Sequence, residues 1–454
     1  MPGSVLSDAA DPKLGYLIPE FPGQTHVWMW REIVHMREAG ADLTLFSTRR
    51  PPERDRARHD FADSAAAETT YLWPMSPRQV AASVGWAKLR HPVGFLRALR
   101  LALTLPVDRG PNVRTVLPLL APACRLAFEV RRRGIGHLHS HTCANSAVLA
   151  MLVKQLLGTP YSLTLNANVE WWGGAMGQKF GQADFTIAIT QWLYDQVRRD
   201  YPQLRDPQVV LGRIGVDTLK WTPGPAAAQT EPTPADDRLR LISVGRLHES
   251  KGYDVLLEAL GKLQPRGVHF DLTLIGDGPE REQLTQQRDR LGLADRVTFT
   301  GSLGETQIIA AMREADVFVL SSHAEPLGVV SMEAMAMEVA TLATDAGGVG
   351  EIITDGVDGK LVPPGDPDAL ADALEQLARD PDQRRRLARA GRQSIIANFD
   401  SRRGAATLYE RLFGRRPEAL LAVLDTPACG EASELGHAGT VDEAQPALSR
   451  MEGA

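Results

Sequence analysis

A junction between a short apolar run and an amphipathic segment constrains the fold of this chain most strongly. Residues 316–320 (DVFVL) predict a buried parallel strand. Residues 330–337 follow as a predicted helix, with Met332, Met335 and Ala336 on one side. Because a buried parallel strand needs helices on both faces of its sheet, the junction predicts an α/β fold in which strands and helices alternate.

Two glutamates eight positions apart lie at this junction. Glu325 falls in the loop at the carboxyl end of the strand, and Glu333 falls about one turn into the helix, so both can face the crevice where open α/β sheets bind ligands. A carboxylate accepts hydrogen bonds from two adjacent hydroxyls, which suits a ribose diol and a hexose diol. Gly328 lets backbone amides approach a ligand, and amides at a helix start attract phosphate. On their own, two glutamates at such a spacing are more often solvated charges.

A second strand-to-helix junction lies about eighty positions upstream. Residues 240–244 (RLISV) predict a strand, and residues 253–263 predict an amphipathic helix. Between them lie Gly245 and the cations Arg246 and Lys251, which could neutralise a diphosphate at this position. The alternative is a pair of cations in surface salt bridges.

Five short motifs follow one another in a fixed order that resembles the pattern of a known protein family. They are GRL…KG at 245–252, IGDGP at 275–279, Glu325-x7-Glu333, TDAGGVGE at 344–351 and DGVDGKLVPPGD at 355–366. Together they resemble the retaining, metal-independent GT-B glycosyltransferases of the large group 1 family. The resemblance implies an α/β fold with two Rossmann-like, doubly wound domains that face an interdomain cleft, and a C-terminal helix that crosses back to the N-terminal domain.

The resemblance also implies a function. It is the transfer of a hexose, with retention, from a nucleotide-sugar donor to a glycan or lipid-linked acceptor in exopolysaccharide or cell-envelope glycan synthesis, without a metal or other cofactor. Arg246 and Lys251 would hold the diphosphate, Glu333 the ribose, and Glu325 would lie near the transferred sugar. The predicted donor-binding residues are Gly23, Gly245, Arg246, Lys251, Glu325, Leu327, Gly328, Val329 and Glu333. Gly23, in the loop between a strand at 14–18 and a helix at 27–39, fits an ordinary turn glycine equally well.

Three alternating histidines, His137, His139 and His141, lie on a predicted strand that runs into a helix. A metal site would need a further ligand beside them, and no acidic residue lies near in sequence, so a polar lining of the cleft is the stronger expectation. Asn166 occupies the place where relatives carry the histidine of a Thr-x-His-Gly-like turn, and an amide cannot carry a proton at neutral pH. Either transfer does not need that group, or His139 or His141 serves, or activity is reduced. The predicted catalytic residues are Glu325, Arg246, Lys251, His139, His141 and Asn166.

A second departure from the family pattern follows the glutamate pair. Glu338 and Ala340 replace a Gly and a Pro that normally shape the exit from the helix. If the glycine had been needed for a left-handed backbone, Glu338 there would cost about 1 kcal/mol or more.

The length of 454 residues suits two cores of similar size. The predicted organisation has five parts: an N-terminal, acceptor-binding domain at 1–220, a Pro/Ala-rich linker at 221–238, a C-terminal, nucleotide-sugar-binding domain at 239–398, a crossing helix at 399–414 and an irregular, disordered tail at 415–454.

Composition narrows the partners and the compartment. The net charge of −6 gives no reason to expect nucleic acid, and 43% hydrophobic residues are typical of a soluble globular protein. Cys124, Cys143 and Cys429 are scattered without a CxxC, so neither a disulfide framework nor a zinc site is predicted. This cysteine usage suits a reducing cytoplasm, which is the expected compartment. The first eleven residues lack an apolar core, so no signal peptide is expected, and no apolar run approaches the length of a membrane span.

One basic segment suggests a position at the inner face of the membrane. No Asp or Glu occurs between Thr69 and Val107. The segment 78–100 carries five cations, namely Arg78, Lys88, Arg90, Arg97 and Arg100. On a helix, Leu96, Leu99 and Leu103 would share a face flanked by arginines, which suits an anionic membrane surface. An amphipathic helix packed on the N-terminal domain is the more ordinary interpretation.

Two other functions remain open. Asn166, Glu338 and Ala340 would fit a catalytically weakened GT-B protein that binds a sugar nucleotide without turnover. Another GT-B enzyme, such as a sugar-nucleotide epimerase or a phosphorylase, is the third hypothesis, although a phosphorylase needs a much longer chain and a pyridoxal lysine.

Overall fold

The computed structural model describes residues 11–108, 110–224 and 238–425, which form two parallel sheets covered by helices. The strands of the first sheet are β1 Lys13–Ile18, β2 Leu43–Arg49, β3 Thr70–Trp73, β4 Ile135–Ser140, β5 Tyr161–Leu165, β6 Thr186–Ala188 and β7 Val209–Leu211. The strands of the second sheet are β8 Leu239–Val244, β9 Phe270–Ile275, β10 Val297–Gly301, β11 Val317–Leu320, β12 Ala340–Thr344 and β13 Lys360–Val362.

Both sheets are doubly wound. The first has the strand order β3-β2-β1-β4-β5-β6-β7, and the second has the order β10-β9-β8-β11-β12-β13. The order reverses between β1 and β4 in the first sheet and between β8 and β11 in the second. Because ligands bind outside the carboxyl ends of the strands at such switch points, the loops after these four strands are the first places to look for a site.

Helices connect the strands and cover the sheets. In the first domain they are α1 Val27–Glu38, α2 Ala62–Glu68, α3 Pro77–Arg90, α4 Pro92–Thr104, α5 Asn112–Thr115, α6 Leu120–Arg133, α7 Asn145–Leu157, α8 Met176–Gln182 and α9 Gln191–Asp200. In the rest of the described chain they are α10 Tyr253–Leu263, α11 Arg281–Arg290, α12 Glu305–Arg313, α13 Val329–Ala336, α14 Pro367–Arg379, α15 Pro381–Asn398, α16 Ser401–Phe413 and α17 Glu418–Asp425.

Local sequence explains several helix boundaries. Ser76 and Gln79 form a capping box at the start of α3, and Pro92 lies in the first turn of α4, so the two helices meet at His91. Asp366 accepts hydrogen bonds from the first amides of α14 and Asp380 does the same for α15. These caps satisfy amides that have no partner within the helix.

The C-terminal helix crosses back to the first domain, as predicted. Tyr409 and Phe413 of α16 pack in the cluster that contains Leu14 and Met36 of the first domain. The crossing is close, because a Cβ on Gly404 would lie 2.2 Å from the carbonyl oxygen of Arg213. The predicted fold class, two Rossmann-like domains with a crossing helix, is therefore confirmed.

Two predicted boundary segments are partly described by the structure. Trp221, the first residue of the predicted linker, is buried, and residues 225–237 lie outside the described chain. Part of the predicted irregular tail forms α17, whose Leu420 and Leu421 are buried and give the segment a packed side. The remainder of that tail, 426–454, which includes Cys429, lies outside the described residues.

Glu338 adopts the left-handed conformation that the sequence predicted to be costly. Its φ is +59°, directly after the C-cap residue of α13, Met337. Ala340 begins β12 and is buried. A residue with a Cβ therefore occupies a backbone position that favours glycine.

Candidate functional site

The switch point of the second sheet brings together two predicted site residues. Lys251 lies in the loop after β8 and Glu325 in the loop after β11, and the lysine Nζ lies 2.5 Å from the Oε2 of the glutamate. Arg246, in the same loop as Lys251, is exposed and makes no side-chain hydrogen bond or ion pair within the described residues. A free guanidinium therefore lies in the same loop as a lysine that is already paired with a carboxylate.

Close backbone contacts explain why glycines occur in these loops. Gly252, at φ +61°, lies so near the end of β11 that a Cβ would be 2.1 Å from the carbonyl oxygen of Ser321. This approach carries Lys251 towards Glu325. Gly347 supports the other loop, since a Cβ there would lie 2.3 Å from the carbonyl oxygen of Glu325. Larger residues at either glycine would displace the Lys251–Glu325 pair.

The start of α13 has the geometry of an anion site. Gly328 is its N-cap at φ +86°, a conformation that glycine adopts without strain. Val329 is the first helical residue, one position before the predicted start. The first amides of a helix lack intrahelical acceptors and carry partial positive charge. Leu327 is buried, so its predicted donor contact would have to come from its backbone.

Gly245 permits the close packing of α10. A Cβ at this position would lie 2.6 Å from the hydroxyl oxygen of Tyr253, a residue that is itself buried. Its amide donates to the carbonyl oxygen of Ile275. The structure thus gives Gly245 a packing role, and its predicted contact with the donor stays a prediction.

Glu333 faces the N-terminal domain and is bound there by an arginine. Its Oε1 lies 2.6 Å from Nη2 of Arg31 in α1, and the same nitrogen lies 2.9 Å from Oε1 of Glu305 in α12. All three side chains are less than 10% exposed. The predicted ribose-binding carboxylate is therefore part of a buried ionic contact between the domains.

The two carboxylates that share Arg31 have pKa values shifted in opposite directions. Burial raises the pKa of Glu333, and the charge of Arg31 only partly opposes this effect. Burial also acts against ionisation of Glu305, but Arg31 and Lys220 together lower its pKa to about 2. The difference has a structural cause, because Nζ of Lys220 lies 2.6 Å from Glu305 and the indole Nε1 of Trp221 donates to Glu305 at 3.0 Å.

Arg31 is a residue that sequence reasoning missed. Its Nε and Nη1 are buried and have no hydrogen-bond acceptor in the described part of the chain. Buried donors of this kind are costly unless water or a ligand satisfies them. The signal in the sequence was weak, since Arg31 lies in a helix where the charged residues Arg31 and Glu32 occur among apolar ones.

Gly23 lies in the loop after β1, but its amide already has a partner. Its N–H donates to Nδ1 of His26 at 3.0 Å. The φ of Gly23 is not in the left-handed region, so the backbone there does not itself demand glycine. Contact between Gly23 and the donor phosphates stays a prediction.

The three alternating histidines are buried in the N-terminal domain. Oγ of Ser162 lies 2.9 Å from the Nε2 of His137 and 2.8 Å from the Nδ1 of His139. Burial lowers the pKa of His137 to about 4 and that of His139 well below its usual value. Since His139 and His141 have no exposed surface, the structure places them in the wall of the domain, and a catalytic role for either stays a prediction.

His141 has an acidic neighbour that its sequence context did not show. Its Nε2 lies 2.8 Å from Oε1 of Glu32 in α1 and 2.9 Å from the hydroxyl of Tyr16, which also donates to Glu32. Glu32, His139 and His141 offer ligand atoms within 4.8 Å of one another. Both nitrogens of His139 are bonded to hydroxyls, of Ser162 and Thr164, so these contacts need no metal ion to explain them.

Asn166 lies beside His141 at the carboxyl end of β5. Its Nδ2 donates to the carbonyl oxygen of His141 at 3.2 Å, while its Oδ1 is buried without a hydrogen-bond partner among the described residues. The amide therefore presents an unused acceptor at the position where the resemblance implied an imidazole.

Other contacts join the two domains around this region. Nε2 of Gln24 donates to the carbonyl oxygen of Leu303 at 2.8 Å. A second contact involves Glu351, whose carboxylate accepts hydrogen bonds from the amides of Gln191 and Trp192 at the start of α9, both at 2.7 Å. Loops that follow strands of the two sheets thus contact one another.

Comparison with known proteins identifies the family. The sequence model described as "Glycosyl transferases group 1" matches residues 227–394. The alpha-maltose-1-phosphate synthase of Mycolicibacterium smegmatis is 30% identical over 324 residues, which are 65% of this chain and 82% of the relative. This chain belongs to the group 1 glycosyltransferases. The glycogen synthase of Mycobacterium tuberculosis is 29% identical, and the match spans 59% of this chain and 66% of the length of that relative.

A solved structure supports the fold of this group 1 family member. HepE of Anabaena, crystallised with UDP and glucose, superposes with a TM-score of 0.65 over 88% of this chain and 99% of its own, at 17% identity. At that identity the likeness concerns the GT-B fold alone. Among the described residues, no helix has both the length and the apolar character needed to cross a membrane.

Proposed function

We propose that this group 1 glycosyltransferase is a retaining hexosyltransferase whose nucleotide-sugar donor binds between the two sheets. The observation that carries the proposal is the switch point of the second sheet, where Arg246, the Lys251–Glu325 pair and the glycine-capped start of α13 come from two adjacent loops. Cations and free helix amides suit a diphosphate, and carboxylates suit sugar hydroxyls. The UDP and glucose bound to HepE support a donor of this class.

In the proposed reaction the leaving diphosphate also accepts the proton. The bond between the anomeric carbon and the diphosphate oxygen breaks while the acceptor hydroxyl oxygen bonds to the same carbon from the same face. The hydroxyl proton passes to the departing phosphate oxygen. Arg246, Lys251 and the amides after Gly328 would stabilise the charge that builds on that oxygen. The proposal needs no metal ion, because these groups supply the positive charge.

Lys251 and Glu325 would act together in this scheme. The pair is only partly exposed, so the lysine can keep its contact with Glu325 and direct its other N–H donors at phosphate. Glu325 would then accept a hydrogen bond from a hydroxyl of the transferred sugar. Contacts between the domains would exclude water, which otherwise hydrolyses the donor.

The proposed acceptor is a glycan or a lipid-linked sugar, in exopolysaccharide or cell-envelope glycan synthesis. The location that goes with it is the cytoplasm, with part of the enzyme at the inner face of the membrane. The mannosyltransferase of Mycolicibacterium smegmatis that is named for phosphatidylinositol monomannoside, 34% identical over 211 residues, supports a lipid-linked acceptor.

The test is a panel of nucleotide-activated hexoses, with nucleotide release measured with and without glycan and lipid-linked acceptors. We expect release that depends on the acceptor, survives chelation of metal ions, and gives a product with the anomeric configuration of the donor by NMR. Arg246→Gln should abolish most of this activity, and Arg290→Gln, an exposed arginine of α11, serves as the control. Inversion, or a strict requirement for a divalent cation, would refute the mechanism.

Asn166 favours one alternative, a catalytically weakened protein that binds a sugar nucleotide. Its unpaired Oδ1 accepts a hydrogen bond but cannot exchange a proton at neutral pH. This alternative predicts that the donor binds in calorimetry without nucleotide release for any acceptor. Restoring turnover with Asn166→His would support it, whereas turnover by the native chain would exclude it.

A further inference from the structure

Helix α4 has an apolar inner face and an apolar outer face. Inside, Gly94 and Ala98 are buried against the domain, and a Cβ on Gly94 would lie 2.3 Å from the carbonyl oxygen of Leu156 in α7. Outside, Val93 and Leu96 are each 65% exposed and Leu103 is 47% exposed. The packed amphipathic helix expected from the sequence is therefore present, but its outer face also carries large aliphatic side chains.

Positive charge surrounds these exposed side chains. Arg97 and Arg100 are exposed on α4, and Arg90 is exposed in the last turn of α3 beside Leu89, which is 84% exposed. Across the described chain, none of these three arginines forms an ion pair or a side-chain hydrogen bond. No acidic residue occurs between positions 69 and 107, so neighbours in sequence do not neutralise this charge.

We propose that this surface docks on an anionic phospholipid membrane. The surface, hereafter the α4 face, consists of Leu89, Arg90, Val93, Leu96, Arg97, Arg100 and Leu103. Aliphatic side chains that enter the acyl boundary, flanked by arginines that meet lipid phosphates, are the features of an interfacial helix. A nucleic acid would account for the arginines but not for the exposed aliphatic side chains between them.

The α4 face also has a fixed relation to the candidate site. Just beyond α4, Val107 pairs with Gly174. Gly174 belongs to the segment that follows β5 and begins with Asn166. The C-terminal end of α4 therefore lies on the side of the first sheet that carries the loops of the site. A membrane under the α4 face would hold a lipid-linked acceptor near those loops. This consequence depends on the proposed function, whereas the docking of the α4 face on a membrane does not.

The experiment measures sedimentation of the full chain with phosphatidylcholine vesicles, with and without phosphatidylglycerol. We expect binding only to the anionic vesicles, and weaker binding as salt rises, because exposed charges are screened. Since each arginine near such a surface contributes about 1 kcal/mol, Arg97→Gln with Arg100→Gln should weaken binding about 30-fold. Leu96→Ser should also weaken it, because it removes an aliphatic side chain from the interface.

A matched control has the same change of charge on the other domain. Arg290→Gln with Arg386→Gln replaces two exposed arginines that have no ion pair in the described chain, and it should bind as the native chain does. The proposal is overturned if the native chain ignores anionic vesicles, if the control loses binding equally, or if the α4 variant instead abolishes self-association or RNA binding. Vesicle binding without any donor turnover would reject the proposed function and leave the docking surface standing.

Discussion

Removing Arg31 should destabilise the protein more than removing either of its carboxylate partners. Arg31→Met keeps the aliphatic stem and deletes the charge-assisted bonds to Glu333 at 2.6 Å and Glu305 at 2.9 Å. Glu305 keeps Lys220 and Trp221, but Glu333 is left 5% exposed without an ion-pair partner among the described residues. Breaking a buried ion pair from one side costs about 3 to 5 kcal/mol.

A conservative substitution of the carboxylate partner Glu333 should lower the free energy of unfolding by less than Arg31→Met does. In Glu333→Gln, Arg31 still has Glu305, so the loss is one charge-assisted hydrogen bond, worth about 1.5 to 3 kcal/mol. The double variant removes both the cation and the uncompensated carboxylate. We therefore expect the double variant to be more stable than Arg31→Met alone, with a coupling energy of about 2 kcal/mol, within the range for residues in contact.

The cost of Arg31→Met should also depend on pH. Burial already raises the pKa of Glu333, and the loss of Arg31 raises it further. A carboxyl whose folded pKa exceeds its unfolded value binds more protons in the folded state, so it gains stability as the pH falls through the folded pKa. The destabilisation by Arg31→Met should accordingly be smaller at pH 5.5 than at pH 8, a window that follows from the raised pKa of Glu333.

The assay is urea unfolding followed by tryptophan fluorescence, at both pH values, for the two single variants and the double variant. Trp221 is a reporter at the site, because its ring centroid lies 5.3 Å from the guanidinium carbon of Arg31. Equal midpoints for the native chain and Arg31→Met at pH 8 would refute the reasoning. An additive double variant would also refute it, because additivity would mean that Arg31 and Glu333 do not interact in solution.

Three further predictions concern single groups. Lys251→Met should lower donor turnover by about tenfold to 150-fold, which corresponds to the loss of one charge-assisted contact. Adding Glu325→Gln to the Lys251→Met variant should lower turnover little further in the same assay. Burial lowers the pKa of His26 and His137 to about 4, so the unfolded chain takes up protons at a higher pH than the folded chain does. The contribution of these histidines to the free energy of unfolding should therefore be full above pH 6.5 and fall towards pH 4. Urea midpoints that stay flat over this range would contradict this prediction. Glu338→Gly should raise the free energy of unfolding by up to about 1 kcal/mol, because it relieves a left-handed residue at φ +59°, whereas a lower urea midpoint for this variant would count against strain there.

Local pattern was sufficient to predict several elements and the two loops that bring Lys251 and Glu325 into contact. The helix predicted at 253–263 has those bounds in the structure, and the helix predicted at 330–337 is shifted by one residue. The strand predicted at 14–18 spans Lys13–Ile18 instead. Hydrophobic periodicity predicts the presence of an element more accurately than its first and last residues, because caps and neighbouring strands determine where the element ends.

Contacts between residues far apart in sequence could not be predicted from local pattern. Arg31 meets Glu333 across 302 positions, and Glu32 meets His141 across 109. Each of these residues resembles an ordinary helix or strand position in its own segment. Only the contacts of α1 with distant elements show that its charges are buried and paired. This is why Arg31 was missing from the predicted site while Glu333 was present.

The contact of Glu351 with α9 has a consequence for motion. The first two amides of that helix receive their acceptor from the opposite half of the molecule. Any opening between the halves would transfer those amides to water, and closure would re-form the same two bonds in one geometry only. Closure would thereby have a fixed end point, which two flexible surface side chains could not supply.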